Sequence, residues 1–74
     1  MKEDTAEFKA LKGLIETAGG WAAFVKLSGC GEDAIRNWWR RGQVSERWAM
    51  KIGSKKWARS AGWTKETIRP DIKW

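Results

Sequence analysis

The positions of the glycines constrain the fold of this 74-residue chain more than any other feature of its sequence. Gly19-Gly20, the glycine-rich segment 28–31 and Gly42 divide the first part of the chain into short stretches. Glycine takes the left-handed conformation that ends helices without strain, so each stretch is predicted to be one short helix. A chain of this length forms one small domain at most. We therefore expect residues 1–74 to be a single all-α domain of four to five helices.

The first helix is predicted over residues 5–18. Phe8 and Leu11 begin an apolar stripe at helical spacing, which continues to the glycine pair. Asp4 is the predicted N-cap, and Glu7, three residues later, is its predicted capping-box partner.

Two further helices are predicted over 21–27 and 32–41, joined by a tight turn over 28–31. A short helix, a glycine-centred turn and a second helix are typical of the helix-turn-helix motif, here residues 20–42, whose second helix enters the DNA major groove. The side chains expected to pack between the two helices are Phe24, Val25, Cys30, Ile35 and Trp38.

The second half of the chain is predicted to contain shorter elements. Ser45 is the predicted N-cap of a fourth helix with Trp48, Ala49 and Ile52 facing inward. Gly53-Ser54 interrupts the pattern, and residues 55–60 are expected to form a separate short helix. Thr64 can cap one further turn through Thr67. Pro70 lacks a backbone donor, so residues 69–74 are predicted to be an extended tail.

The composition excludes several functional classes. The chain has no histidine and one cysteine, which excludes a histidine-dependent nucleophile, a zinc site and a disulfide framework. We therefore expect neither enzymatic activity nor a cofactor. No apolar run approaches the roughly 18 residues that span a bilayer, and the first four residues do not resemble a signal peptide. These features predict a cytoplasmic protein with no membrane partner.

Positive charge is concentrated in the middle of the chain. The whole chain carries a formal net charge of +6. Residues 36–59 contain eight Lys and Arg against Glu46 alone, whereas residues 1–35 have a net charge of −2. A nucleic-acid backbone is the commonest polyanion for such a segment, with an anionic membrane or an acidic protein as alternatives.

The candidate DNA-binding residues fall into two groups. One face of the helix over 32–41 carries side chains able to contact base edges: Arg36, Asn37, Arg40, Glu32 and Asp33. Arginine suits guanine, asparagine suits adenine, and a carboxylate can accept from the cytosine amino group, although capping the helix explains the two carboxylates as well. The candidate phosphate contacts are Trp21, Arg41, Arg47, Lys51, Lys55 and Lys56.

Several short motifs occur together along residues 11–74. They are Gly19-Gly20, Phe24-Val25, Gly29, Ala34-Ile35, Asn37-Trp38, Arg41-Gly42, Val44-Ser45 and the most specific piece, Ile68-Arg69-Pro70-Asp71-Ile72. In these motifs the chain resembles the small helix-turn-helix regulators of phages and prophages, the Cro-like repressors and the related YdaS-type family. The resemblance implies a lambda-repressor-like all-α fold, a homodimer, and binding to a palindromic double-stranded DNA operator that represses transcription.

The sequence departs from the family pattern in three places. Ser28 stands where the family usually has leucine, which implies unusual packing under the turn. Cys30 and Gly31 replace a hydrophobic residue and serine, which weakens the N-cap of the next helix. Between Ile52 and Trp63 the chain is about three residues longer than the family pattern, which leaves the end of the fourth helix and any dimer interface there open.

Seven tryptophans are more than a core of this size can bury. Trp38 and Trp48 are predicted core residues, and Trp39 is expected to pack on the fourth helix. The surplus tryptophans are Trp57, Trp63 and Trp74, and some of these three are predicted to form an isologous dimer interface. The alternative function is that of an antitoxin-like or phage-encoded inhibitor, which would use the same scaffold to bind an acidic protein.

Overall fold

Helices are the only regular secondary structure in the described part of the chain. A computed structural model describes residues 5–74, which form six helices and no strand. They are α1 (Ala6–Ala18), α2 (Trp21–Ser28), α3 (Glu32–Arg41), α4 (Glu46–Gly53), α5 (Lys56–Ser60) and α6 (Lys65–Ile68). The all-α prediction is confirmed, with six helices instead of four to five.

Thr5 is the N-cap of α1. Its Oγ1 accepts a hydrogen bond from the Phe8 amide at 3.2 Å. Glu7 lies one residue too early to pair with this cap, so the predicted capping box is wrong, and Asp4 itself lies outside the described residues. The helix ends as predicted at Gly19, whose φ of 107° lies in the left-handed region.

The turn between α2 and α3 is held by a small polar cluster. Ser28 extends α2 one residue beyond the prediction and is buried. Its Oγ donates to the Val25 carbonyl at 3.2 Å and lies 3.2 Å from Cys30 Sγ. Gly31, the N-cap of α3, supplies no side-chain cap.

Phe24 of α2 is a central residue of the core. It is fully buried, and its ring lies edge-on to Trp38 of α3, with the ring centroids 6.4 Å apart. The buried apolar residues around it come from five further helices and one loop: Phe8, Leu11, Leu14, Ile35, Trp38, Val44, Ala49, Ile52, Ala58 and Ile68. Val25 and Cys30, which were also predicted to pack here, are half-buried at its edge.

Backbone contact between α4 and α6 explains why α4 ends at a glycine. Ser45 caps α4 as predicted, accepting from the Trp48 amide at 3.3 Å. A Cβ atom on Gly53 would lie only 2.6 Å from the backbone nitrogen of Lys65, at the start of α6. Residue 53 can therefore carry no side chain without displacing α6.

The C-terminal tail is folded back on the helices, so the prediction of an extended tail is wrong. Arg69 is 8% exposed, and its Nη1 donates to the Val44 carbonyl at 2.7 Å. Its Nε and Nη2 donate to the two carboxylate oxygens of Asp71 at 2.8 and 2.7 Å. This bidentate pair raises the pKa of Arg69 and lowers that of Asp71. The Ile72 amide and Trp74 Nε1 both donate to the Arg69 carbonyl, which completes the turn.

Several tryptophans pack against the core from outside. Trp48, Trp57 and Trp63 are half-buried there, so Trp48 is only partly a core residue. Trp63 Nε1 donates to Thr17 Oγ1 at 2.9 Å. Trp39 was predicted to pack on α4, and this prediction is wrong. Its ring lies against Phe8 of α1 and Trp21 of α2, with centroid distances of 4.9 and 6.0 Å.

Candidate nucleic-acid interface

Helix α3 presents one polar face. Ile35 and Trp38 are buried, whereas the residues three or four positions apart on the other side are all exposed: Glu32, Asp33, Arg36, Asn37 and Arg40. This alternation follows from the helical period of 3.6 residues, which places these five side chains on one surface. The structure therefore brings the five predicted base-contact candidates together on one face.

Both ends of α3 carry charges that suit the helix dipole. Glu32 and Asp33 lie in the first turn, and Arg40 and Arg41 lie in the last turn. The positive groups of the face are consequently concentrated toward the C-terminal half of the helix.

Glu32 connects α3 to α2. Its Oε2 accepts from Arg36 Nη2 at 3.0 Å and from Trp21 Nε1 at 3.2 Å. Trp21, a predicted phosphate contact, is half-buried and uses its only side-chain N–H donor in this bond. This contact was not predictable from the sequence, because the two residues are eleven positions apart and belong to different helices.

A cleft of about 250 Å³ lies between α3 and α4. Its polar lining comes from Asn37 and Arg41 of α3, from Gln43 and from Ser45. Trp48 of α4 forms an aromatic wall, and the ammonium group of Lys51 lies 4.7 Å from the centre of its ring. The sequence pattern identified Arg41, Asn37 and Lys51, but it gave no signal that Gln43 and Ser45 would line the same cleft.

The basic candidates for phosphate contact lie at the end of α3, on α4 and at the start of α5. Arg41, Arg47, Lys51 and Lys56 are exposed, and Lys55 is half-exposed. Burial raises the pKa of the Cys30 thiol, while the hydrogen bond with Ser28 and the positive charge of Lys55 oppose that rise.

Comparison with known proteins gives no relative for this chain: no family model, curated protein or solved structure matches it. Within residues 5–74 there is no cluster of three or more possible metal ligands and no helix able to cross a membrane. A function for these residues must follow from their own geometry and charge.

Proposed function

We propose that this protein is a sequence-specific DNA-binding transcriptional regulator. The helix-turn-helix unit spans residues 20–42, with α3 as the helix that enters the major groove. The observation that carries the proposal is the polar face of α3, because three side chains able to read bases, Arg36, Asn37 and Arg40, project together from a helix anchored by Ile35 and Trp38. Arginine pairs with guanine O6 and N7, and asparagine pairs with adenine N6 and N7.

The surrounding positive charge supports binding to the DNA backbone. Arg41 lies in the cleft between α3 and α4, and Lys51 lies over the Trp48 ring that forms one wall of that cleft. Arg47, Lys55 and Lys56 extend the basic surface along α4 and α5. Such groups set affinity and register without reading sequence, because they contact phosphates shared by every base pair.

The finer proposal is a Cro-like phage or prophage repressor acting in the bacterial cytoplasm. Two copies would bind a palindromic operator, each placing α3 in a major groove about one helical turn, roughly 34 Å, from the other. Repression would follow from occlusion of a promoter by the bound dimer.

Selection of binding sites from a randomised duplex pool tests this function. We expect the wild-type protein to select a palindromic consensus. The Arg36→Ala/Arg40→Ala variant should lose preference at the contacted pairs, with about 1–3 kcal/mol lost per contact. The control variant Lys9→Ala/Lys73→Ala also removes two positive charges, but from exposed positions outside α3, and it should retain the consensus.

Salt titration separates base reading from phosphate binding. Lys55→Ala should weaken binding to all sequences alike and reduce the salt dependence. A steep salt dependence with no consensus, shared by the Arg36→Ala/Arg40→Ala variant, would contradict sequence-specific recognition.

Protein binding is the second candidate function, in the manner of an antitoxin-like or phage-encoded inhibitor. It is favoured by apolar side chains at the surface, since Leu27 and Met50 are 41% and 50% exposed. Met50 also borders a groove of about 360 Å³ next to α6. Sequence-independent DNA binding, together with tight binding to one acidic protein, would support this function instead.

A further inference from the structure

We infer that Trp21, Glu32 and Arg36 form one base-reading unit, which recognises cytosine and guanine at neighbouring positions of the operator. In this unit Glu32 determines specificity together with Arg36, and Trp21 is a positioning residue that holds Glu32. The inference rests on the proposed function, because it assumes that α3 enters the major groove.

The geometry of the Glu32 carboxylate supports this assignment. Oε2 receives both hydrogen bonds, from Trp21 Nε1 at 3.2 Å and from Arg36 Nη2 at 3.0 Å. Oε1 accepts no hydrogen bond from any group within residues 5–74. The side chains of Arg36 and Glu32 are 63% and 47% exposed. One carboxylate oxygen is thus committed to the protein, and the other remains available to a ligand.

The available groups match a cytosine at one position and a guanine at the next. A carboxylate oxygen in the major groove can accept from the N4 amino group of cytosine, and the guanidinium donors that Arg36 does not use on Glu32 can bind guanine O6 and N7. Adenine differs from cytosine in carrying an acceptor beside its amino donor, and guanine is the base that offers two acceptors and no donor in the major groove. The carboxylate also disfavours wrong sequences, because an unpaired negative charge near phosphates is repelled.

Trp21 is well placed to hold Glu32 still. Its ring packs edge-on against Trp39 at 6.0 Å, and Trp39 packs against Phe8 of α1 at 4.9 Å. The indole N–H is therefore fixed relative to two other helices before DNA binds. A preorganised contact discriminates better than a mobile one, since less side-chain freedom is lost on binding.

Asp33 provides a matched control. It is the adjacent carboxylate in the first turn of α3 and is exposed, but it makes no side-chain hydrogen bond or ion pair within residues 5–74. Helix-end electrostatics alone would make the two carboxylates equivalent. Base reading through the Trp21 and Arg36 contacts would make Glu32 more important for specificity than Asp33.

The experiment compares binding sites selected by the wild type, Glu32→Gln, Trp21→Phe and Asp33→Asn. We expect cytosine and guanine at neighbouring positions of the wild-type half-site. Glu32→Gln should lower the preference for cytosine about tenfold. Trp21→Phe keeps an aromatic ring beside Trp39 but loses the indole N–H donor. It should therefore weaken the base preference at the same positions without changing affinity for random DNA. Asp33→Asn, at the adjacent carboxylate that makes neither contact, should change the preference at these positions less than Glu32→Gln does.

Indole N–H resonances give a readout that does not depend on DNA. The Trp21 signal, assigned by its absence in Trp21→Phe, should shift in Glu32→Gln, whereas the Trp63 signal should not move, because its partner is Thr17. An unshifted Trp21 signal would overturn the positioning role.

The outcomes separate this inference from the proposed function. A wild-type consensus that Glu32→Gln leaves intact would overturn the inference alone. Trp21→Phe with weaker binding to random DNA and an unchanged consensus would identify Trp21 as a phosphate contact and overturn its positioning role. A wild type that selects no consensus would overturn both the inference and the proposed function.

Discussion

Replacement of Gly53 by alanine is expected to destabilise the fold, although helix propensity predicts the opposite. The new Cβ would lie 2.6 Å from the Lys65 nitrogen and 3.1 Å from the Thr64 carbonyl carbon. Ordinary contact begins near 3.4 Å, so α4 and α6 would have to separate by roughly 0.8 Å. Both opposing atoms belong to the backbone and cannot rotate away as a side-chain end can.

The expected loss combines two opposing effects. Overpacking of this kind costs typically about 1–3 kcal/mol. Alanine gains up to about 1 kcal/mol over glycine in a helix interior, and less at position 53 because it is the last residue of α4. The net loss in unfolding free energy should be about 1–2 kcal/mol, which lowers Tm by roughly 4–8 °C per kcal/mol in a domain of this size.

Urea unfolding followed by tryptophan fluorescence measures this effect, with an unchanged m-value as the sign that only stability has changed. Gly13→Ala is the matched control, since its Cβ would meet the end of the Trp63 ring at 2.7 Å. That ring can shift at the cost of its bond to Thr17, about 1 kcal/mol, which the helix propensity gain of alanine offsets. A Gly53→Ala protein as stable as the wild type would refute the close approach of α4 and α6.

Three further predictions concern the folded tail and the turn. Arg69→Met should lower the free energy of unfolding, measured in urea, by about 2–4 kcal/mol, because it leaves the buried Val44 carbonyl without a donor and removes the ion pair with Asp71. A smaller loss of free energy than Asp71→Asn causes would contradict this account. Arg69 lowers the pKa of Asp71 below its ordinary value of 3.8, so the stabilisation of the fold by this ion pair is present above about pH 4 and is lost as pH falls through the lowered pKa. Asp71→Asn should therefore make the free energy of unfolding less dependent on pH in the acid range. Parallel pH curves for the wild type and Asp71→Asn would exclude the pair as the cause of the acid dependence. Because burial raises the pKa of Cys30, iodoacetamide should alkylate the folded protein at pH 8 more slowly than the urea-unfolded protein, and equal rates would show that the thiol is accessible.

The candidate site was predictable in part from the sequence. The helical period alone identified the exposed face of α3 and the buried positions of Ile35 and Trp38, because both depend on spacing within ten residues. The linkage between Trp21 and Glu32 was not predictable, since spacing carries no information on how two helices cross. The cleft containing Gln43 and Ser45 was missed for the same reason.

Local signals in the sequence determined where the helices begin and end. Gly19 and Gly42 end α1 and α3 with positive φ, and Ser45 and Thr64 cap α4 and α6, as expected from interactions within about four residues. Even there, the choice between two adjacent capping residues was beyond the sequence, because Asp4 and Thr5 are both good N-caps. The structure selects Thr5.

Only the tertiary structure decided the contacts between distant residues. Arg69 binds the Val44 carbonyl across 25 positions, and Trp63 reaches Thr17 across 46. The backbone of α6 lies against Gly53, and this close contact explains why position 53 is a glycine. The neighbouring sequence does not reveal that explanation. These contacts depend on how the helices pack around one shared core, and that packing is a property of all the helices together. The sequence therefore determined the helices and the polar face of α3, and the tertiary structure determined the folded tail, the arrangement of the tryptophans and the partners of Glu32.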